Sequence, residues 1–161
     1  MWQSRTGGTG QAHLVVQTDG NVVTYNNASG SPTWWTGTGG HAATTNFGSD
    51  TLAAGRQLDS QQYLRSSDKR YGLLLQSDGN LVLHGPGYHV LWQSGTPGSG
   101  ATRLVMQTDG NLVLYNGNAA LWWTWTGGTG STHAVMQSDG NFVVYTAGNS
   151  ATWQAGTNGR L

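Results

Sequence analysis

Gln107-Thr108-Asp109-Gly110-Asn111-Leu112-Val113-Leu114-Tyr115 is the stretch whose reading decides the fold. Asp-Gly between two apolar runs is a strong hairpin signal. A three-residue Thr108-Asp109-Gly110 loop, with Gly110 as a left-handed bulge, pairs Gln107 with Asn111. Val105 then faces Val113, and Arg103 faces Tyr115. Leu104, Met106, Leu112 and Leu114 fall on the opposite face, which reads as a core face. The phrase Gln-x-Asp-Gly-Asn-x-Val-x-(Tyr or His) occurs three more times, from Gln17 to Tyr25, Gln76 to His84 and Gln137 to Tyr145. The same register gives apolar faces in each: Leu14, Val16 and Val22; Leu73, Leu75, Leu81 and Leu83; Met136, Phe142 and Val144.

The Gln anchors are separated by 59, 31 and 30 residues, so one repeat in the long gap is degenerate or replaced. A second signature, Trp, three residues, Thr, one residue, Gly, confirms the period. It starts at Trp2, Trp34, Trp92, Trp122 and Trp153, and the last four each follow a Gln-Asp-Asn motif. The chain is therefore expected to begin within a repeat. Each unit reads as three strands, for example 103–107, 111–115 and 120–124. A Trp recurring once per unit beside a core strand reads as structural, so Trp92, Trp122 and Trp153 are expected to meet around a central axis. Between about 41 and 72 the polar motif is absent; Thr51 to Leu58 and Gln62 to Leu64 alternate weakly and read as opening strands of a new domain. Arg65, Asp68, Lys69 and Arg70 cluster at what reads as a solvated hairpin tip.

Composition excludes several classes. Charged residues are 9% of the 161 and the formal net charge is zero, which argues against steering to nucleic acid or an anionic membrane. Glycine is abundant at 26 residues, tryptophan reaches 8, and proline is scarce at 3, a balance that suits many turns between short strands in an all-β chain. With no cysteine there is neither a disulfide framework nor a thiolate metal site. No apolar run approaches about 18 residues, so no membrane insertion is expected. Met1-Trp2-Gln3-Ser4-Arg5 lacks the regions of a signal peptide, and a mature secreted form or a cytoplasmic protein would look the same.

Asp-Gly-Asn alone is ordinary turn chemistry, because Asp and Asn tolerate turn geometry and Gly supplies positive φ. A hairpin, however, needs neither a Gln two residues before the Asp nor a Tyr four after the Asn. All seven acidic residues are Asp, and four of them hold this one motif position. Amide, carboxylate and phenol groups together offer donors and acceptors for neighbouring hydroxyls, and Val supplies a small apolar floor. A site built to bond specific hydroxyls rejects isomers that lack them. This is sugar-binding chemistry. A glycoside hydrolase usually needs two nearby carboxylates, whereas each repeat supplies one. The five His show no metal-ligand spacing, no G-x-S-x-G elbow is present, and no cofactor is implied. The reading is of a binding protein rather than an enzyme.

These residues resemble the bulb-type (monocot, snowdrop-like) mannose-binding lectins, which carry Gln-x-Asp-x-Asn-x-Val-x-Tyr once per repeat. The resemblance implies a β-prism II fold, three four-stranded sheets about a pseudo-threefold axis. It is strongest over 50–161, which is similar to one complete prism. Residues 1–49 resemble the later part of another, with one motif. By resemblance, Gln17, Asp19, Asn21 and Tyr25 contact mannose hydroxyls with Val23 against the ring. The same is implied for Gln107, Asp109, Asn111, Val113 and Tyr115, and for Gln137, Asp139, Asn141, Val143 and Tyr145. In the remaining copy Gln76, Asp78, Asn80 and Val82 match, but His84 replaces Tyr; imidazole still hydrogen-bonds, though it is smaller. The implied function is multivalent, non-catalytic binding of mannose or mannose-rich glycans. The alternative is an antimicrobial or defence protein that docks on a target-cell polysaccharide. A partial prism exposes apolar strand faces, and strand exchange in a homo-oligomer would complete it.

Overall fold

The computed structural model describes residues 12–16, 22–29, 32–35 and 49–160. The chain divides into two compact units, 1–44 and 45–161. In the first, β1 (Ala12–Val16), β2 (Val22–Asn26) and β3 (Pro32–Trp35) form an antiparallel sheet. Val15 lies opposite Val23 and His13 opposite Tyr25.

The second unit is three four-stranded antiparallel sheets. One consists of β6 (Tyr63–Arg65), β7 (Gly72–Leu75), β8 (Leu81–His84) and β9 (Val90–Gln93) in that order. The next holds β5 (Arg56–Asp59), β10 (Arg103–Met106), β11 (Leu112–Asn116) and β12 (Ala119–Trp123). The last holds β4 (Thr51–Ala53), β13 (Ser131–Met136), β14 (Phe142–Thr146) and β15 (Ala151–Gln154). The short strands between 51 and 65 thus supply the fourth strand of each sheet, one apiece, where the sequence showed only weak alternation. This is the β-prism II architecture.

The register follows the expected alternation. Val105 lies opposite Val113 and Arg103 opposite Tyr115. The inward face carries Leu104, Met106, Leu112 and Leu114, all fully buried, and they join Leu73, Leu75, Leu81, Leu83, Met136, Phe142 and Val144 in one core. Burial of each such side chain contributes about 1.5–3 kcal/mol. Trp92, Trp122 and Trp153 meet with ring centroids 5.5, 5.7 and 5.6 Å apart, each pair edge to face, as quadrupole attraction favours.

The hairpin loops close as the sequence implied. The Gln107 N–H donates to Asn111 O at 2.8 Å and the Gly110 N–H to Gln107 O at 3.1 Å. Gly110 has φ +95, and a Cβ there would lie 3.1 Å from Ser131 and Thr126 backbone atoms, so the turn requires glycine for both conformation and space. In the second unit a clamp holds each of the three loops against the end of its own repeat. Thr126 Oγ1 donates to Gly110 O at 2.7 Å, and the Thr126 N–H donates to Asn111 Oδ1 at 3.2 Å. Thr96 makes the same two bonds to Gly79 and Asn80, and Thr157 makes them to Gly140 and Asn141. The Thr of the tryptophan signature therefore exists to satisfy buried polar groups of the Gln-Asp-Asn motif.

Thr126 is only 2% exposed. Replacing it with Val leaves the Gly110 carbonyl buried and unpaired, a loss of about 1–3 kcal/mol. Chemical denaturation of Thr126→Val is expected to show that loss, whereas Thr129→Val, at an exposed position of the same loop, should cost less.

Candidate functional site

In each sheet of the second unit the motif Val and the residue two further on alternate with core residues and so fall on the outer face, because the strand period is two. The copy on β10 and β11 shows what this assembles. Val113 is 3% exposed and forms an apolar floor beside Val105. Gln107 Nε2 donates to Tyr115 Oη at 2.8 Å, which orients both side chains and leaves the Gln carbonyl and the phenol hydrogen for a ligand. Asp109 Oδ1 accepts the Asn111 N–H at 2.9 Å. The second Asp109 oxygen has no hydrogen-bond partner among the described residues and stands as a free acceptor at an exposed position. Behind the phenol, the Arg103 guanidinium lies over the Tyr115 ring, 5.2 Å from its centroid.

The copy on β13 and β14 repeats this arrangement. Gln137 Nε2 donates to Tyr145 Oη at 2.8 Å, Asp139 Oδ1 accepts the Asn141 N–H at 2.9 Å, and Val143 is buried. Here His133 stacks on Tyr145 with centroids 5.7 Å apart and planes 24° from parallel. An aromatic or cationic cross-strand neighbour thus braces the phenol in both.

The copy on β7 and β8 differs. Asp78 Oδ1 accepts the Asn80 N–H at 2.9 Å and Val82 is buried, but Gln76 has no phenol to meet. His84 Nδ1–H instead donates to Tyr88 O at 3.2 Å, which commits that ring nitrogen to the backbone. Gly72 lies opposite His84, so no cross-strand side chain braces the ring, which instead meets the Tyr88 ring edge to face with centroids 6.2 Å apart. A groove of about 480 Å³ remains over this copy, lined by Gln61, Leu74, Gln76, Ser77 and Asp78. Further along, Arg65, Lys69 and Arg70 form the β6–β7 hairpin tip as expected. There a Ser66 hydrogen bond and the Arg70 guanidinium hold Asp68 at a pKa of about 2, well below the usual carboxylate.

In the first unit Val23 is buried and Tyr25 stacks on His13 at 5.7 Å, matching the Tyr145 arrangement. Gln17, Asp19 and Asn21 lie outside the described residues.

The structure shows two features that sequence reasoning missed. The Asn carbonyl oxygen is committed to the clamp, so the Asn contributes only its NH2 to any ligand. In two copies that NH2 is shared with a further residue: Asn80 Nδ2 donates to Gln93 Oε1 at 2.9 Å and Asn141 Nδ2 to Gln154 Oε1 at 3.0 Å. Gln93 and Gln154 each follow the core Trp directly, and that fixed offset was the available signal. Among the described residues no group of His, Asp or Glu could hold a metal ion.

No protein-family model matches the chain. Among curated proteins it is similar to the B-type lectin plumieribetin of Scorpaena plumieri, 36% identical over 67 residues, or 42% of this chain and 58% of that protein. The chain thus spans little more than half the length of that relative. Solved structures match more fully. A monomeric monocot mannose-binding lectin from Gastrodia elata is 39% identical, covering 68% of this chain and 99% of its own, with a TM-score of 0.62. The Marasmius oreades lectin is 34% identical over 68% of this chain and 92% of its own, with a TM-score of 0.63. The mannose-specific agglutinin of snowdrop (Galanthus nivalis), solved with methyl-α-D-mannoside, is 33% identical over 68% and 97%, with a TM-score of 0.55. With motif, sheet order and these likenesses in agreement, the chain belongs to the bulb-type mannose-binding lectins.

Proposed function

We propose that this non-catalytic lectin binds mannose or mannose-rich glycans through the repeated Gln-x-Asp-x-Asn-x-Val-x-Tyr sites, several of them at once. One observation carries the reading: a Gln–Tyr hydrogen bond of 2.8 Å recurs beside a half-used Asp carboxylate and above a buried Val, in two sheets of one unit. A turn needs the Asp oxygen that caps the Asn N–H. It does not need the Gln–Tyr pair, the brace behind the phenol or the second carboxylate oxygen. These groups together can bond adjacent hydroxyls while the sugar's C–H face rests on Val. Mannose is the sugar bound by the snowdrop and Gastrodia lectins, whose structures this chain resembles.

The Asp is the group whose loss tests this best. Aspartate to asparagine removes a charge-assisted acceptor, worth about 1.5–3 kcal/mol and so roughly tenfold or more in affinity. Calorimetry with methyl-α-D-mannoside is expected to show one site lost for each of Asp109→Asn and Asp139→Asn. Asp78→Asn should matter least, because that copy lacks the Gln–Tyr pair. Changing Asp19, Asp78, Asp109 and Asp139 together should abolish binding to mannan while the circular dichroism spectrum is kept; unchanged binding would refute the assignment. Several weak sites on one scaffold raise avidity by about 10²–10⁴ where geometry allows, so mannan should be bound far more tightly than the monosaccharide.

The first unit favours self-association. Leu14 occupies the register position that Leu104 fills in the second unit's core, yet it is 60% exposed on a sheet with three strands among the described residues. We propose that a strand from a second copy of the chain covers it. Light scattering is expected to show a dimer that Leu14→Ser weakens, and a strict monomer across concentrations would contradict this.

A further inference from the structure

The residue after each core tryptophan lies opposite the motif Val. It is Gln93 opposite Val82, Gln154 opposite Val143 and Trp123 opposite Val113. Substituting an indole for the amide has two effects in the β10–β12 copy. It removes the acceptor that engages the Asn NH2 in the other copies, so Asn111 Nδ2 has no partner among the described residues. It also sets an aromatic wall beside the Val floor.

Two residues further on, the contrast sharpens. The position is Gly95 with φ +74 and Gly156 with φ +69, but Trp125 with φ +61. The loop geometry demands a left-handed residue, and glycine meets it without strain. A bulky side chain there is an outlier that persists only when something over-determines it. No core packing does so, because Trp125 is 79% exposed. What it does make is a pair with Trp123, centroids 4.9 Å apart and planes 61° from parallel. The pair is fixed directly at the edge of the site. Thr124 and Thr126, on either side of Trp125, both bond Asn111 Oδ1 at 3.2 Å. At Gly127 an added Cβ would stand 3.7 Å from the unpaired Asp109 oxygen.

We propose that Trp123 and Trp125 form an aromatic subsite adjoining the Gln107–Tyr115 copy, which takes the second pyranose of a mannose-containing glycan. This rests on the proposed mannose site and names the larger ligand that one copy prefers. A pyranose suits the corner between two inclined indoles, since its C–H face packs on an aromatic ring while its hydroxyls point to water or to polar neighbours. The exposed Asp109 carboxylate and the Asn111 NH2 lie on the same rim, so the next sugar of a chain whose first ring sits on Val113 meets indole on one side and hydrogen-bonding groups on the other. The copies with Gln93 and Gly95 and with Gln154 and Gly156 lack this wall and are expected to treat a disaccharide much as a monosaccharide.

The test compares methyl-α-D-mannoside with α-linked mannobioses by calorimetry. It is run on the full chain with Asp19, Asp78 and Asp139 changed to Asn, so that only one copy reports. At least one mannobiose is expected to bind about tenfold tighter than the monosaccharide, equivalent to about 1.4 kcal/mol. Trp125→Gly, which restores the residue of the other copies, should erase most of that advantage, keep monosaccharide affinity within about twofold and leave thermal stability equal or higher, as relief of strain requires. Trp123→Gln should act in the same direction. An equal ratio of mannobiose to monosaccharide affinity before and after Trp125→Gly would overturn the subsite. So would a parallel loss of both ligands, or an indole pair that binds only apolar dyes and detergent. Failure of the single-copy protein to bind any mannoside would instead strike the proposed function itself. In the otherwise unmodified protein, tryptophan fluorescence should respond to mannobiose more than to the monosaccharide, and Trp125→Gly should remove the difference.

Discussion

Everything in the second unit depends on the closure of three sheets onto one another at Trp92, Trp122 and Trp153. A single four-stranded sheet with one apolar face cannot shield that face alone. Three of them can, when each contributes leucines to the interior and an indole to the junction. The edge-to-face triad also fixes what lies outside. The strands have period two, so a buried Leu112 and Leu114 compel Val113 and Tyr115 to face outward. The candidate sites are the reverse side of the core.

The polar clamp ties these two sides together. Asn80, Asn111 and Asn141 each present a carbonyl to the threonine at the end of their own repeat and keep the NH2 for other partners, so one residue can serve stability and recognition at once. The Asp divides in the same way, with one oxygen capping the loop and the other exposed. This dual use explains how so short a phrase can be repeated as a turn and still carry binding groups. It also explains why the copies are unequal. Where His84 replaces the phenol, the turn survives intact but the Gln loses its partner. The loop tolerates what the site does not.

Much of this was legible in the sequence. Alternation around Asp-Gly gave the Val105–Val113 register and the Gly110 bulge, because both are local consequences of strand period and glycine conformation. The tryptophan junction followed from a fixed offset. The β4 and β5 strands were not legible as edge partners, since Thr51–Ala53 and Arg56–Asp59 are short and pair with β13 and β10 far along the chain. Their place is decided by packing rather than by propensity. The clamp was hidden for a similar reason: Asn111 and Thr126 are 15 residues apart, and nothing local links a loop amide to a later threonine. Trp125 was hidden in another way. Only alignment of the repeats against Gly95 and Gly156 shows that an indole stands where the backbone calls for glycine.

Sugar binding is assigned to the outer faces of the sheets, over Val113 and Val143. A crystal structure of the protein soaked with methyl-α-D-mannoside tests it most directly. A pyranose is expected over each valine, its hydroxyls bonded to the Gln, to the free Asp oxygen and to the Asn NH2 of that copy. A well-ordered mannoside bound elsewhere, with both valine floors empty, would contradict it.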